Sequence, residues 1–104
     1  MSSQDKGLQF LNLIVDKKKK DKFLSLLSEY GAHSLEVVYA HGSVSKSALA
    51  QAFGFEVSEH KVLITCLMKN DKARELLNVL YYEYDFKKPN TGIAFGIPVE
   101  GLAF

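Results

Sequence analysis

The sequence is short of the residues that carry most recognisable chemistry. It has one cysteine, Cys66, so no disulfide can form within the chain. Cys66 lies in an apolar run, where cysteine packs as a small hydrophobe, and the pattern points to a reducing compartment rather than a disulfide scaffold. Arg74 is the sole arginine, so forked, bidentate grips on phosphate or carboxylate are scarce. No apolar run approaches the roughly eighteen residues of a membrane span. The opening stretch MSSQDKG holds no apolar signal core. The expectation is a soluble, cytoplasmic protein that is not inserted in a membrane. An excess of one charge is missing too: the formal net charge of +1 gives no bulk electrostatic case for binding nucleic acid.

What is present is ordinary globular material. With 47% apolar and 24% charged residues over 104 positions, the chain has enough for one core, and a single domain spanning 1–104 is expected. Leu8 to Val15 (LQFLNLIV) is a nearly unbroken apolar run, which reads as a strand buried on both faces. The period then changes. Phe23, Leu26, Leu27 and Tyr30 fall at helical spacing, with Asp16 as the expected N-cap and Gly31 placed to end the helix. Ser34 to His41 alternates and carries Glu36, which suits an edge strand. Lys61 to Met68 (KVLITCLM) is again continuously apolar and should be central. Asn70 or Asp71 is expected to cap a second helix with the stripe Ala73, Leu76, Leu77, Leu80 and Tyr84. After the loop DFKKPNTG, Ile93 to Val99 forms a last strand, which Pro98 confines to a sheet edge.

The order is β-α-β-β-α-β, which predicts an α+β, ferredoxin-like antiparallel sheet of strand order 4-1-3-2. Right-handed crossovers put both helices on one face. The other face, left bare, is also apolar, because strands one and three are apolar at consecutive positions. An uncovered apolar sheet face marks an association surface, so an oligomer that buries it is expected. Between strands two and three lies a connection of about twenty residues, HGSVSKSALAQAFGFEVSEH (His41 to His60), where two to five make a hairpin.

Few constellations suggest chemistry. His41 and His60, at the two ends of that connection, are the only credible metal pair, and a weak one: HxxxH, CxxC, MxCxxC and any carboxylate cluster at ligand spacing are all absent. Ser43, Ser45 and Ser47 sit in no nucleophile-elbow context, and Glu56 and Glu59 give no sign of a low-dielectric setting. Nothing reads as an enzyme. The lysines at 17–20 and 22 are either a solvated helix face or a corner that meets an anion, a nucleotide phosphate or a membrane headgroup. KKPNTG (Lys87 to Gly92) is either a well-made turn or a small-ligand loop, in which backbone N–H groups before the strand face an anion beside Lys87 and Lys88. Within the long connection, Leu49, Phe53 and Phe55 follow a helix-capping serine at Ser45 or Ser47. They either pack down on the domain or anchor in a partner's pocket.

From about Leu8 to Val99 the chain resembles the PII signalling proteins, the nitrogen-regulatory family. LIVDKKKKDKFLSLLSEYGAHSLEVVYAHG matches that family's first strand, first helix and second strand, with Gly42 opening the long loop. HKVLITCLM puts Lys61 on the family's lysine at the start of strand three. NTGIAFGIPVEGL matches the glycine loop and the strand closing on Pro98-Val99-Glu100. The resemblance implies a homotrimer that binds a small-molecule effector, ATP or ADP, between subunits. It also implies a long loop, 42–59, read by a target protein such as a membrane transporter. The effector residues it implies are Gly42, Lys61, Lys87, Lys88, Thr91 and Gly92, and the partner-binding ones Ser45, Leu49, Phe53 and Phe55.

The sequence departs from the family at several points. The loop has no tyrosine. Ser43, Val44 and Ser45 stand where the family has a glutamine, and Ile93 follows Gly92 where it has a lysine. The sequence ends at Phe104, short of the family's arginine-bearing loop. A different or weaker hold on phosphate is the expectation. The alternative with the same element order is an ACT-type or CutA-like trimer, a ligand- or metal-binding module.

Overall fold

The computed structural model describes residues 7–39, 60–89 and 91–100. Strand β1 spans Leu8–Asp16, a 3-10 turn Lys17–Lys19, helix α1 Lys20–Glu29, β2 His33–Tyr39, β3 Lys61–Lys69, α2 Asn70–Glu83 and β4 Ile93–Val99. The four strands form one sheet in the order β2-β3-β1-β4, with every neighbouring pair antiparallel. This is the expected α+β ferredoxin-like order read from the opposite edge, and the two most apolar strands are the central pair.

Strand periodicity decides which side chains meet the helices. Leu11, Leu13 and Val15 of β1 and Val62, Ile64, Cys66 and Met68 of β3 form one buried cluster with Phe23, Leu26 and Leu27 of α1 and Ala73, Leu76 and Leu80 of α2. Both helices therefore lie on the same face. Burial of Cys66 pushes its thiol up to about 11, so at neutral pH it is a packing residue rather than a nucleophile.

The alternate residues point to the face that neither helix covers. Register lines them up in rows across the strands. Val38, Leu63, Ile14 and Ile93 make one row, Glu36, Thr65, Asn12 and Phe95 the next, and Leu67, Phe10 and Ile97 a third. Phe10, Val38 and Ile97 are 38%, 50% and 49% exposed, whereas Asn12, Ile14 and Thr65 are buried. The face is thus apolar with a polar row through its middle.

Helix starts differ from expectation. Asp16 caps the 3-10 turn, its Oδ1 accepting from the Lys18 amide at 2.9 Å, and α1 begins only at Lys20, behind Lys19, which supplies no side-chain cap. Asn70 lies inside α2 rather than capping it. The cap position is Lys69, which supplies no side-chain bond. Asn70 Oδ1 accepts from Gln9 Nε2 at 2.6 Å, and its amide donates to the Gly7 carbonyl at 2.8 Å. Both bonds tie the helix to the start of β1, a tertiary use that outcompetes local capping. Asp71 accepts from the next amide, that of Lys72, at 2.9 Å. The end of α1 is as expected. Gly31 takes φ +80 and donates to the Ser28 carbonyl at 3.0 Å, a left-handed stop that glycine adopts without strain.

Candidate effector site

The sheet gathers four chain ends at one edge. β1 and β2 finish there and β3 and β4 begin there, as the pairings Asp16 with Lys61, Tyr39 with Val62 and Ile14 with Ile93 require. The departure and return of the long connection, Tyr39 and His60, therefore lie beside the Lys17–Lys19 turn. The Lys17 amide donates to the His60 carbonyl at 2.7 Å. The Lys17 and Lys20 ammonium groups stand 5.6 and 5.8 Å from the centre of the Tyr39 ring, within cation–π range. Lys20 Nζ also donates to Tyr39 Oη at 3.2 Å, which raises the pKa of Lys20. Across the sheet end, Lys61 faces Asp16. The Lys18 amide, helped by the Lys61 ammonium, holds the Asp16 carboxyl below its usual value despite some desolvation.

A polar cavity of about 320 Å³ lies between the start of α1 and the loop after α2. Lys19, Lys22, Glu83, Asp85, Lys88 and Thr91 line it, together with the rings of Phe23 and Tyr84. Lys22 Nζ stands 5.0 Å from the Tyr84 ring centre. Lys88 Nζ is 3.6 Å from Asp85 Oδ1. The two neighbouring lysines of the loop diverge: Lys88 enters the cavity, and Lys87 instead lies 5.6 Å from the Tyr82 ring centre.

Gly92 has a packing reason to be glycine. A Cβ there would come within 2.6 Å of Phe86 Cζ, and the Phe86 ring stands edge-on to Phe23 with centroids 5.6 Å apart. Gly92 also borders a second, more apolar cavity of about 420 Å³ between α2 and β4, alongside Leu77, Leu80, Tyr81, Phe86 and Ala94.

Of the residues singled out in the sequence, Lys88 and Thr91 are brought together. Lys61 stands at the same end of the sheet but outside the cavity lining, and Lys87 turns away. His41, Gly42, Ser45, Leu49, Phe53 and Phe55 lie outside the described residues. Among the described residues no group of three or more His, Cys, Asp or Glu could hold a metal, and no helix is long and apolar enough to cross a membrane. Lys19, Lys22, Glu83 and Asp85 were not singled out as a site with Lys88 and Thr91. The signal that joins them is the three-residue spacing of Lys19 and Lys22, which places both on one side of the chain where α1 begins.

No protein-family model matches the chain, and no curated protein sequence matches it either. Solved structures do. A candidate PII-like signalling protein from Thermus thermophilus superposes with a TM-score of 0.63 at 18% identity, over 89% of this chain and 87% of that one. CPII from Thiomonas intermedia, a nitrogen regulatory PII-like protein, superposes in its apo form with a TM-score of 0.62 at 16% identity, over 89% of each chain. The form of CPII bound to ADP, AMP and bicarbonate gives 0.61 at 19% identity, over 90% of this chain and 96% of that one. The chain has the fold of these PII-like proteins.

Proposed function

We propose that this chain is a PII-like signalling protein without catalytic activity. It works in the cytoplasm as a homotrimer that binds an adenine nucleotide, ATP, ADP or AMP, in clefts between subunits. It reports occupancy through residues 42–59 to a target protein, of which a membrane transporter is the kind the resemblance points to. The observation that carries this reading is the convergence at one sheet end. There the two feet of the long connection, Lys61 and the Thr91–Gly92 loop meet, in a fold that CPII shares while bound to ADP, AMP and bicarbonate. A trimer is supported by the apolar rows on the face that neither helix covers, which a symmetric assembly would bury.

Calorimetry with ATP, ADP and AMP, beside a light-scattering mass, tests the reading. It expects three chains per particle and saturable binding of at least one nucleotide, weakened about tenfold in Lys61→Ala. A monomeric mass, or no heat with any of the three, would overturn it.

A further inference from the structure

The charge of the chain is nearly balanced, but its distribution is not. The turn after β1, the start of β3 and the loop between α2 and β4 all fall at the sheet end where β1 and β2 finish. With the first turn of α1 and the last residue of α2, they carry eight lysines, at 17–20, 22, 61, 87 and 88, against four carboxylates, Asp16, Asp21, Glu83 and Asp85. The rest of the described residues reverse the sign, with Lys69, Lys72 and Arg74 against five carboxylates. Two ion pairs absorb part of the excess, Lys20 with Asp21 at 3.8 Å and Lys88 with Asp85 at 3.6 Å. Lys17, Lys18, Lys19, Lys22 and Lys87 are all exposed.

The same end also gathers exposed tyrosines. Among the described residues, the large exposed apolar side chains fall into two sets. Phe10, Val38 and Ile97 belong to the sheet face without helices, and Tyr39, Tyr81 and Tyr82 to the lysine-rich end. Lysine and tyrosine are interleaved there: Lys17 Nζ stands 5.6 Å from the Tyr39 ring centre and Lys87 Nζ 5.6 Å from that of Tyr82. A tyrosine at a bilayer surface seats its ring at headgroup level and keeps its hydroxyl wet, while a lysine stem covers apolar surface and its ammonium stays among the headgroups. Nucleic acid fits this end less well. The guanidinium forks that read bases and grip phosphates are missing from it, since Arg74 lies in the opposite half of α2.

We propose that this end of the domain docks on an anionic membrane surface, as a peripheral contact without insertion. The exposed lysines of the 3-10 turn, with Lys22 and Lys87, meet the headgroups, and Tyr81 and Tyr82 seat between them. Each lysine near such a surface is worth roughly fivefold in affinity, and the attraction is screened as salt rises. The contact needs neither a nucleotide nor a trimer, so it stands apart from the proposed function. It turns both feet of the long connection, Tyr39 and His60, toward the bilayer.

The test is co-sedimentation of the full chain with phosphatidylcholine vesicles and with vesicles containing about one-third phosphatidylserine. A double-stranded DNA fragment is titrated in parallel. The variants are Lys18→Glu/Lys87→Glu and, as a control of equal charge change at the other end of the sheet, Lys69→Glu/Lys72→Glu. The inference expects binding to the anionic vesicles alone, falling as salt is added, weakened at least tenfold by the first pair and within twofold of wild type in the control. Tyr81→Ala/Tyr82→Ala should weaken it about threefold. The neutral pair Lys18→Gln/Lys87→Gln, expected to lose less than the charge reversal, gives the same reading should the reversal disturb the fold. No sedimentation with anionic vesicles overturns the proposal. Equal losses in the two charge-reversed pairs overturn it as well, since overall charge would then be acting rather than this end. Tighter binding to DNA with the same lysine dependence replaces the membrane with nucleic acid as the partner.

Discussion

Gly92 shows how a single missing side chain positions a loop. Its hydrogen faces the Phe86 ring, which in turn meets Phe23 at the edge of the core. Adding a methyl group forces ring or backbone to move, and overpacking of this kind costs about 1–3 kcal/mol. Gly92→Ala is expected to lower stability by that amount in urea unfolding, with Phe86→Leu in the same chain restoring part of it. Asp16 makes a different point. Its carboxyl is held below its ordinary value of 3.8, chiefly by the Lys18 amide, so the ionised form is the one the fold favours. Its contribution is present at neutral pH and is lost as the pH falls through the depressed pKa. Asp16→Ala should melt below wild type at pH 7, and the gap should close as the pH drops beneath about 4. Melting curves at several pH values would show whether it does.

Elements were legible where a single physical pattern dominates. The apolar runs of β1 and β3, the stripes of α1 and α2, and the glycine that stops α1 all follow from periodicity and turn chemistry, and each strand order constraint followed from those. Helix starts were not legible in the same way. Asp16 and Asn70 have the side chains a cap requires, yet Asp16 serves a short 3-10 turn and Asn70 bonds to Gln9, sixty-one residues away in sequence. Such competition between a local bond and a distant one is invisible without the neighbour. The cavity was hidden for the same reason, since Lys19 and Thr91 belong to elements that only the fold juxtaposes. The open cap of α2 makes an expectation of its own. Lys69 has extended dihedrals of −60 and 144, suited to a cap, and is exposed, but carries the wrong side chain. Lys69→Asp supplies an acceptor and replaces a cation at the positive end of the helix dipole, a gain of about 1 kcal/mol in thermal or urea unfolding.

At the scale of the whole molecule, the face without helices carries the argument for assembly. Phe10 stands between Leu67 and Ile97 in the outer apolar row and is 38% exposed. A carboxylate there has little to disturb in a lone chain and much to disturb in a packed interface. Phe10→Asp is therefore expected to turn the proposed trimer into monomers by light scattering while the circular dichroism spectrum keeps its shape. A variant that remains trimeric would mean that another surface joins the subunits. The polar row of Glu36, Thr65 and Asn12 would then sit at the centre of nothing, rather than aligning copies within an apolar contact.

The pairing of Tyr39 with Val62, together with the bond from Lys17 to His60, closes the long connection at its base. Closing a chain segment costs entropy that grows only with the logarithm of its length, about 0.6 kcal/mol for each doubling. Once the base is fixed, the length of what lies between is nearly free of thermodynamic consequence for the sheet. Removing residues 45–55 should shift the melting temperature by no more than a few degrees, while abolishing capture of any target that reads them. On the proposed function, selection could therefore lengthen, shorten or rewrite the segment to suit a new target at little cost in closure entropy.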